Sequence, residues 1–163
     1  MSSAPKPWEV VLVPAGADDL DDVMRIMSEA FSPDFGEAWT RSQCAGILPM
    51  SGVVMMLARA ERGEAQGFSL LRTVADEAEL LLIGVLPAAR RRGIGRALID
   101  HFIDHSTQWG ASRLHLEVRD GNVAITMYRL AGFKLAGRRR NYYRGKNGEL
   151  FDALTLVRAA SEV

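Results

Sequence analysis

Residues 80–98, LLLIGVLPAARRRGIGRAL, set an apolar run, a turn of three arginines with two glycines, and a helix start in immediate succession. The apolar run has the pattern of a strand covered on both faces, and Pro87 closes it. The helix that follows brings unpaired N–H groups and a positive dipole end to the same place. Glycine there lets an anion approach the main chain. Arg90, Arg91, Arg92 and Arg96 add side-chain charge, so a pyrophosphate suits the turn better than a carboxylate. A Walker A loop needs Lys then Ser or Thr after its last glycine, where Arg96 and Ala97 stand. A dinucleotide fingerprint needs a third small residue where Leu98 stands, although Glu117 lies at about the right distance for its ribose-binding acid.

The remaining elements are read from hydrophobic period and punctuation. Residues 8–13 read as a strand. Asp18 is the expected N-cap of a helix carrying Leu20, Val23, Met24, Met27 and Phe31 at helical spacing. A second, shorter helix is expected over 35–47, ended near Pro49, then strands over 52–60 and 67–74 joined by the charged hairpin loop 61–66. A strand over 79–86, a helix over 93–110 and an alternating strand over 113–118 make a parallel crossover. A short helix over 124–131 and strands over 133–138 and 151–157, with Asn147-Gly148 as a turn between them, complete the chain. The expected fold class is α/β (α+β): a mixed sheet of about seven strands, mostly antiparallel with one parallel pair, flanked by about four helices. A length of 163 residues, with 48% hydrophobic and 25% charged, fits a single domain over 1–163 with one core.

Composition narrows the setting. One cysteine, Cys44, gives no disulfide framework and no Cys-rich zinc site. No apolar h-region opens the sequence, and its uncharged apolar stretches are too short to span a bilayer, so a cytoplasmic protein without a membrane partner is expected. His101 and His105, four apart on a helix, lack a third ligand and are expected to face solvent, so no metal is assigned. Cys44 reads as a packed thiol rather than an acyl-carrying nucleophile. The formal net charge is zero, yet residues 1–89 carry six basic and thirteen acidic side chains and residues 90–146 carry thirteen and four. A central segment this basic suggests an anionic partner.

Arg90-Arg91-Arg92-Gly93-Ile94-Gly95 resembles the pyrophosphate loop of the GCN5-related N-acetyltransferase (GNAT) superfamily. Ile83-Gly84-Val85 precedes it where that family has the strand that pairs with the pantetheine arm. Asn122 and Tyr128-Arg129-Leu130-Ala131-Gly132-Phe133 follow it, like the family's Tyr-x-x-x-Gly-Phe segment. Leu116-Glu117-Val118-Arg119 and Arg139-Arg140-Asn141-Tyr142-Tyr143 resemble segments of the RimI-like ribosomal-protein-alanine N-acetyltransferases, loosely joined by Asp152-Ala153. Two departures stand out. The Asn122-to-Tyr128 spacing is one residue shorter than usual, and Ala38-Trp39-Thr40 replaces Pro-Trp-Ser or Pro-Trp-Thr.

The resemblance implies acetyl-CoA as co-substrate and direct transfer of acetyl to a primary amine. The implied acceptor is a protein N-terminus, with a small-subunit ribosomal protein as the family's partner. It implies Glu117 as base, facing the cleft, and Tyr128 as acid near the sulfur. Cofactor contacts are implied for Ile83, Gly84, Val85, Arg90, Arg91, Arg92, Gly93, Ile94, Gly95, Arg96 and Asn122, and acceptor contacts for Trp39, Tyr142 and Tyr143. The Val85 N–H is the expected carbonyl polariser, freed by a bulge that Gly84 permits. Deprotonating an α-amine of pKa about 7.8 at pH 7 costs about 1 kcal/mol, against about 4.6 for a lysine near 10.4, so a lone carboxylate suits an N-terminus. Asp34 and Glu37 are expected to meet a cationic peptide end. Bland readings accompany these: Glu117 as a polar-face residue, Tyr128 as a packing tyrosine against Phe133. Basic residues interleaved with aromatics in RRRNYY also fit RNA, but the stretch is short and beside a turn. A small-molecule acetyltransferase shares every cofactor motif, and a non-catalytic nucleotide- or RNA-binding module accounts for the basic segment. The sequence assigns no oligomeric state.

Overall fold

The continuous apolar run before the arginine turn becomes the middle of a seven-stranded mixed sheet. The computed structural model describes residues 9–161. Its strands are β1 (Val10–Ala15), β2 (Val53–Ala60), β3 (Ala65–Val74), β4 (Glu77–Val85), β5 (Arg113–Arg119), β6 (Lys134–Arg144) and β7 (Leu150–Ala159). They lie in the order β1-β2-β3-β4-β5-β7-β6. Only β4 and β5 run parallel; every other neighbouring pair is antiparallel. Four α-helices accompany them: α1 (Leu20–Ala30), α2 (Arg41–Ile47), α3 (Ile94–Trp109) and α4 (Ala124–Leu130). The expected architecture is therefore found. Trp8, placed at the start of the first strand, lies outside the described residues.

Local details depart from expectation for identifiable reasons. Asp18 is not the cap of α1: it sits in a 3-10 turn, and the Asp19 carboxylate accepts the Gly16 N–H at 2.9 Å instead. Arg59 then pairs with Asp19 and Asp22, each at 3.1 Å. The second helix begins at Arg41 rather than 35, because Gly36 has φ +68° and Thr40 builds a capping box with Gln43. The bulge expected at Gly84 lies instead at Leu81, since Leu80 faces Leu71 and Leu82 faces Leu70. Gly84 stays in register with Phe68, and a Cβ there would stand 2.8 Å from the Phe68 ring. Glycine at 84 thus accommodates a core phenylalanine.

Two apolar clusters flank the sheet. Phe68, Leu70 and Leu82 pack with Ile26 and Met27 of α1; Leu114, Leu116 and Phe133 pack with Ile99 and Phe102 of α3. Among the described residues no helix is long and apolar enough to cross a membrane. The segment between α1 and α2 reaches across to the β6–β7 hairpin. The Lys146 N–H donates to the Pro33 carbonyl at 3.0 Å, the Phe35 and Phe151 rings meet edge to face at 5.3 Å, and Gly36 lies directly against the Arg144 main chain. Gly36→Ala combines a left-handed backbone with that close approach, so it should cost about 2–3 kcal/mol. Denaturant unfolding with an unchanged m-value is the check.

Candidate active site

The β4–β5 ladder holds for four residue pairs, from Glu77 with Arg113 to Leu80 with Leu116, and then stops. Beyond it β4 stays paired with β3 as far as Val85, and β5 with β7 as far as Arg119. The two parallel strands part, and a cavity of about 800 Å³ opens beside them. Trp39, Ile83, Gly84, Val85, Arg90, Arg91, Gly93, Ile94, Gly95, Arg96, Glu117, Asn122, Tyr128, Tyr142 and Tyr143 all line it, as does Glu37; of the cofactor and acceptor contacts expected from sequence, Arg92 and Asp34 do not.

The arginine turn supplies one part of the cavity. Gly93 is the N-cap of α3 with φ +80°, and no side chain caps the helix. Its first N–H groups therefore face the cavity as an anion site. A Cβ at Gly95 would stand 2.9 Å from Met127 Sδ, so a larger residue there would have to displace that flexible side chain. Arg90 donates to the Ala30 carbonyl at 3.1 Å and Arg96 to Asp100 at 3.0 Å. Arg91, with φ +65°, and Arg92 are exposed and make no ion pair among the described residues.

The end of β5 beyond its pairing with β4, together with α4, β6 and β4, brings titratable groups to the cavity. Glu117 projects from β5, and its Oε1 lies 2.8 Å from Arg139 Nε. Burial, followed by the charge of the nearby Glu117, pushes the Tyr142 phenol up. Tyr128 is buried against the edge of Phe133, ring centroids 6.2 Å apart, so the packing role and the cavity position coexist. Burial is the main cause raising the Tyr128 phenol, with Tyr143 and Glu37 adding to it. Tyr143 is raised likewise, by burial first and then by Glu37. A phenol so placed holds its proton until a stronger base appears nearby. A second carboxylate, Glu79 on β4, lines the same cavity; burial raises it, His115 draws it down and Glu117 pushes it up.

Sequence reasoning missed the group that fixes one wall. Glu37 is not free for a peptide end: its Oε1 accepts Arg119 Nε at 2.8 Å and its Oε2 accepts the Asn122 amide at 2.8 Å. The Glu37 and Arg119 side chains are 10% and 11% exposed, and the guanidinium lies 3.7 Å above the Phe35 ring. Asn122 spends its other end on the Ala124 N–H at 2.8 Å. Asp34 is likewise engaged, with Lys146 at 3.3 Å. The Glu37 and Asp34 contacts join residues more than eighty positions apart, and no local pattern announces them.

Other sequence expectations resolve as follows. His101 and His105 are half-buried and stacked at 5.7 Å rather than solvent-facing, and burial lowers His101. Cys44 is fully buried with its thiol pushed up by burial, a packed and unreactive state. Arg138 is held by Asp120 at 2.7 Å and Asp152 at 2.9 Å, and Arg139 by Glu117, so two arginines of RRRNYY are neutralised. β6 extends to Arg144 because a bulge, with Asn141 at φ +54° and its N–H on Asp152 Oδ1, carries the strand past residue 138.

A parallel pair that parts beside a glycine-started helix, with a carboxylate and a buried phenol in the opening, is the arrangement of an acyl-transferring enzyme. Residues 20–133 match the Acetyltransferase (GNAT) family, and the chain belongs to it and is an N-acetyltransferase. It is 36% identical over 135 residues to the ribosomal protein bS18-alanine N-acetyltransferase of Escherichia coli, covering 77% of this chain and 91% of that one. The enzyme of the same name from Haemophilus influenzae is 30% identical over 143 residues, covering 82% and 98%. The crystal structure of the Escherichia coli enzyme superposes with a TM-score of 0.83 at 30% identity, covering 94% of this chain and 96% of that one.

All three tyrosines of the chain line this one cavity and all three phenols are raised. Ultraviolet titration of the folded protein should therefore show clearly less tyrosinate at pH 10 than free tyrosine, which is about half ionised there, with Tyr128 and Tyr143 contributing least. The protonated form is favoured in the fold, so this contribution to stability is intact below about pH 10 and falls away as pH rises past it. A half-ionised signal at pH 10 with native circular dichroism would contradict this environment.

Proposed function

We propose that the chain transfers acetyl from acetyl-CoA directly to the α-amine of a protein N-terminus, alanine first among acceptors, in the cytoplasm, as one domain over 1–163. The observation that carries the reading is the single cavity that gathers an uncapped helix start, the unpaired end of β4, Glu117 and Tyr128. The names of the relatives support the acceptor class, including its link to a small-subunit ribosomal protein. The paired state of Arg138 and Arg139 argues against a nucleic-acid grip by RRRNYY.

The residues fit the co-substrate. The α3 N–H groups, Arg91 and the cradle that a Cβ at Gly95 would crowd are suited to a pyrophosphate. Residues 81–85 of β4, without a strand on their β5 side, offer main-chain groups to the amide-bearing pantetheine arm. When bound, acetyl-CoA supplies an activated thioester carbonyl. Val85 N–H is the donor assigned to polarise it. Glu117 accepts a proton from the acceptor ammonium, Tyr128 gives its hydroxyl proton to the departing sulfur, and the proton then shed by the acylated nitrogen restores the Tyr128 phenol. Trp39, Tyr142 and Tyr143 border the acceptor. Arg92, outside the cavity lining, acts only through its charge near the loop. Asn122 acts through Glu37 as a positioning residue for the wall.

Acetyl-CoA consumption screened against N-terminal peptides, lysine peptides and small amines should show preference for a free N-terminal alanine. Preference for a small amine would establish the small-molecule reading instead. Glu117→Gln should lower kcat by about 10²-fold or more while acetyl-CoA affinity stays within about twofold; unaltered turnover removes Glu117 as base. Gly95→Leu should abolish acetyl-CoA binding in calorimetry, and retained affinity would exclude the loop from the co-substrate site.

A further inference from the structure

The contact between Glu117 and Arg139 has a geometry of its own. The Glu117 side chain is 14% exposed and the Arg139 side chain 62%, so the guanidinium reaches down from solvent onto a sheltered carboxylate at 2.8 Å. It is the one ion pair Glu117 makes among the described residues. Glu79 adds a second acidic group to the same cavity and feels both Glu117 and Arg139. Two carboxylates sharing a sheltered site need a cation beside them.

The main chain under Arg139 is fixed. Arg139 pairs with Ala153 at the last regular position before the β6 bulge. The bulge is pinned by Asp152, which accepts the Asn141 N–H at 3.0 Å and Arg138 at 2.9 Å. The side chain above that fixed main chain is mostly solvent-exposed, and in the paired position its guanidinium lies 5.7 Å from the Tyr142 ring.

We propose that Arg139 is a specificity-determining residue that stands in for the acceptor's ammonium: it neutralises Glu117 in the free enzyme and is displaced by an incoming cationic amine. The proposal rests on the reading that Glu117 faces the acceptor. The site then admits a group that brings its own positive charge and rejects neutral alcohols and anionic ends, which cannot replace the guanidinium. Breaking a pair whose basic partner is mostly in water costs little, so a correctly placed ammonium wins the exchange. One ammonium proton passes to Glu117 before attack. At product release the returning guanidinium favours the carboxylate, and that proton leaves to solvent.

The test uses the full chain holding coenzyme A, titrated calorimetrically with a hexapeptide bearing a free N-terminal alanine. Arg139→Gln, checked for native circular dichroism, should bind the peptide about three- to tenfold more tightly than wild type. Arg139→Lys, which keeps a cation at the carboxylate, should return toward the wild-type value. In the Glu117→Gln background the gain from Arg139→Gln should vanish. Unchanged or weaker peptide binding by Arg139→Gln overturns the proposal, as does an equal gain in the Glu117→Gln background. If wild type binds coenzyme A but no amine-terminated peptide, the acceptor reading falls and this proposal with it. If wild type binds the peptide and Arg139→Gln binds it no better, this proposal alone falls.

Discussion

Everything at the site depends on where one parallel ladder ends. Each of β4 and β5 has an antiparallel neighbour on its outer side that continues after the contact between them is lost at Leu80 and Leu116. That outer pairing lets two central strands part without fraying, because each keeps half of its main-chain hydrogen bonds. The gap then presents unpaired β4 main chain on one side and the Glu117 side of β5 on the other. α3, the crossover between these strands, begins at the open end of β4. A helix dipole, free N–H groups and a general-base candidate are thus brought together by topology before any side-chain interaction is counted.

Electrostatics divides the cavity's acidic groups into two kinds. Glu37 is nearly buried and saturated, with Arg119 and Asn122 on its two oxygens and Phe35 stacked on the guanidinium. A pair so enclosed contributes little net stability against an apolar alternative, but removing one partner leaves an unpaired charge. Its consequence is geometric: it fixes the segment before α2 against the β5–α4 turn. Glu117 is compensated by a guanidinium that is mostly solvated, and Glu79 is raised by burial. Glu117 can therefore exchange its partner, whereas Glu37 is held on both oxygens.

Legibility in the sequence followed the range of the interactions. α3, β5 and the arginine turn are specified within a few residues by period, glycine and charge, and they were placed to within one or two positions. The strand that bears Glu117 was legible from strict alternation. What failed to show was set at long range. The α1–α2 segment reads as helical by composition, but Gly36 and the Thr40 cap break it where it crosses to β6 and β7. Glu37 reads as a surface acid until Arg119, 82 residues away, is folded against it. The bulge at Leu81 belongs to the register with β3, so it is invisible in β4 alone, and Gly84 drew attention to the wrong place.

The charge surplus of residues 90–146 also takes a different meaning once partners are assigned. Arg96, Arg113, Arg119, Arg138 and Arg139 are each paired with a carboxylate, four of them from other elements or loops of the fold. Part of the segment's excess therefore compensates acids elsewhere: Glu77, Glu37 and Asp34 of residues 1–89, and Asp152. What remains for an anion at the α3 start is local: Arg90, Arg91 and Arg92, without ion pairs among the described residues, and the uncapped N–H groups. Screening at about 8 Å in physiological salt makes that local set, rather than the segment's sum, the field a pyrophosphate meets. In the proposed co-substrate site the main-chain donors at Gly93 would fix the ligand's position, while the exposed arginines would contribute attraction with little directional demand.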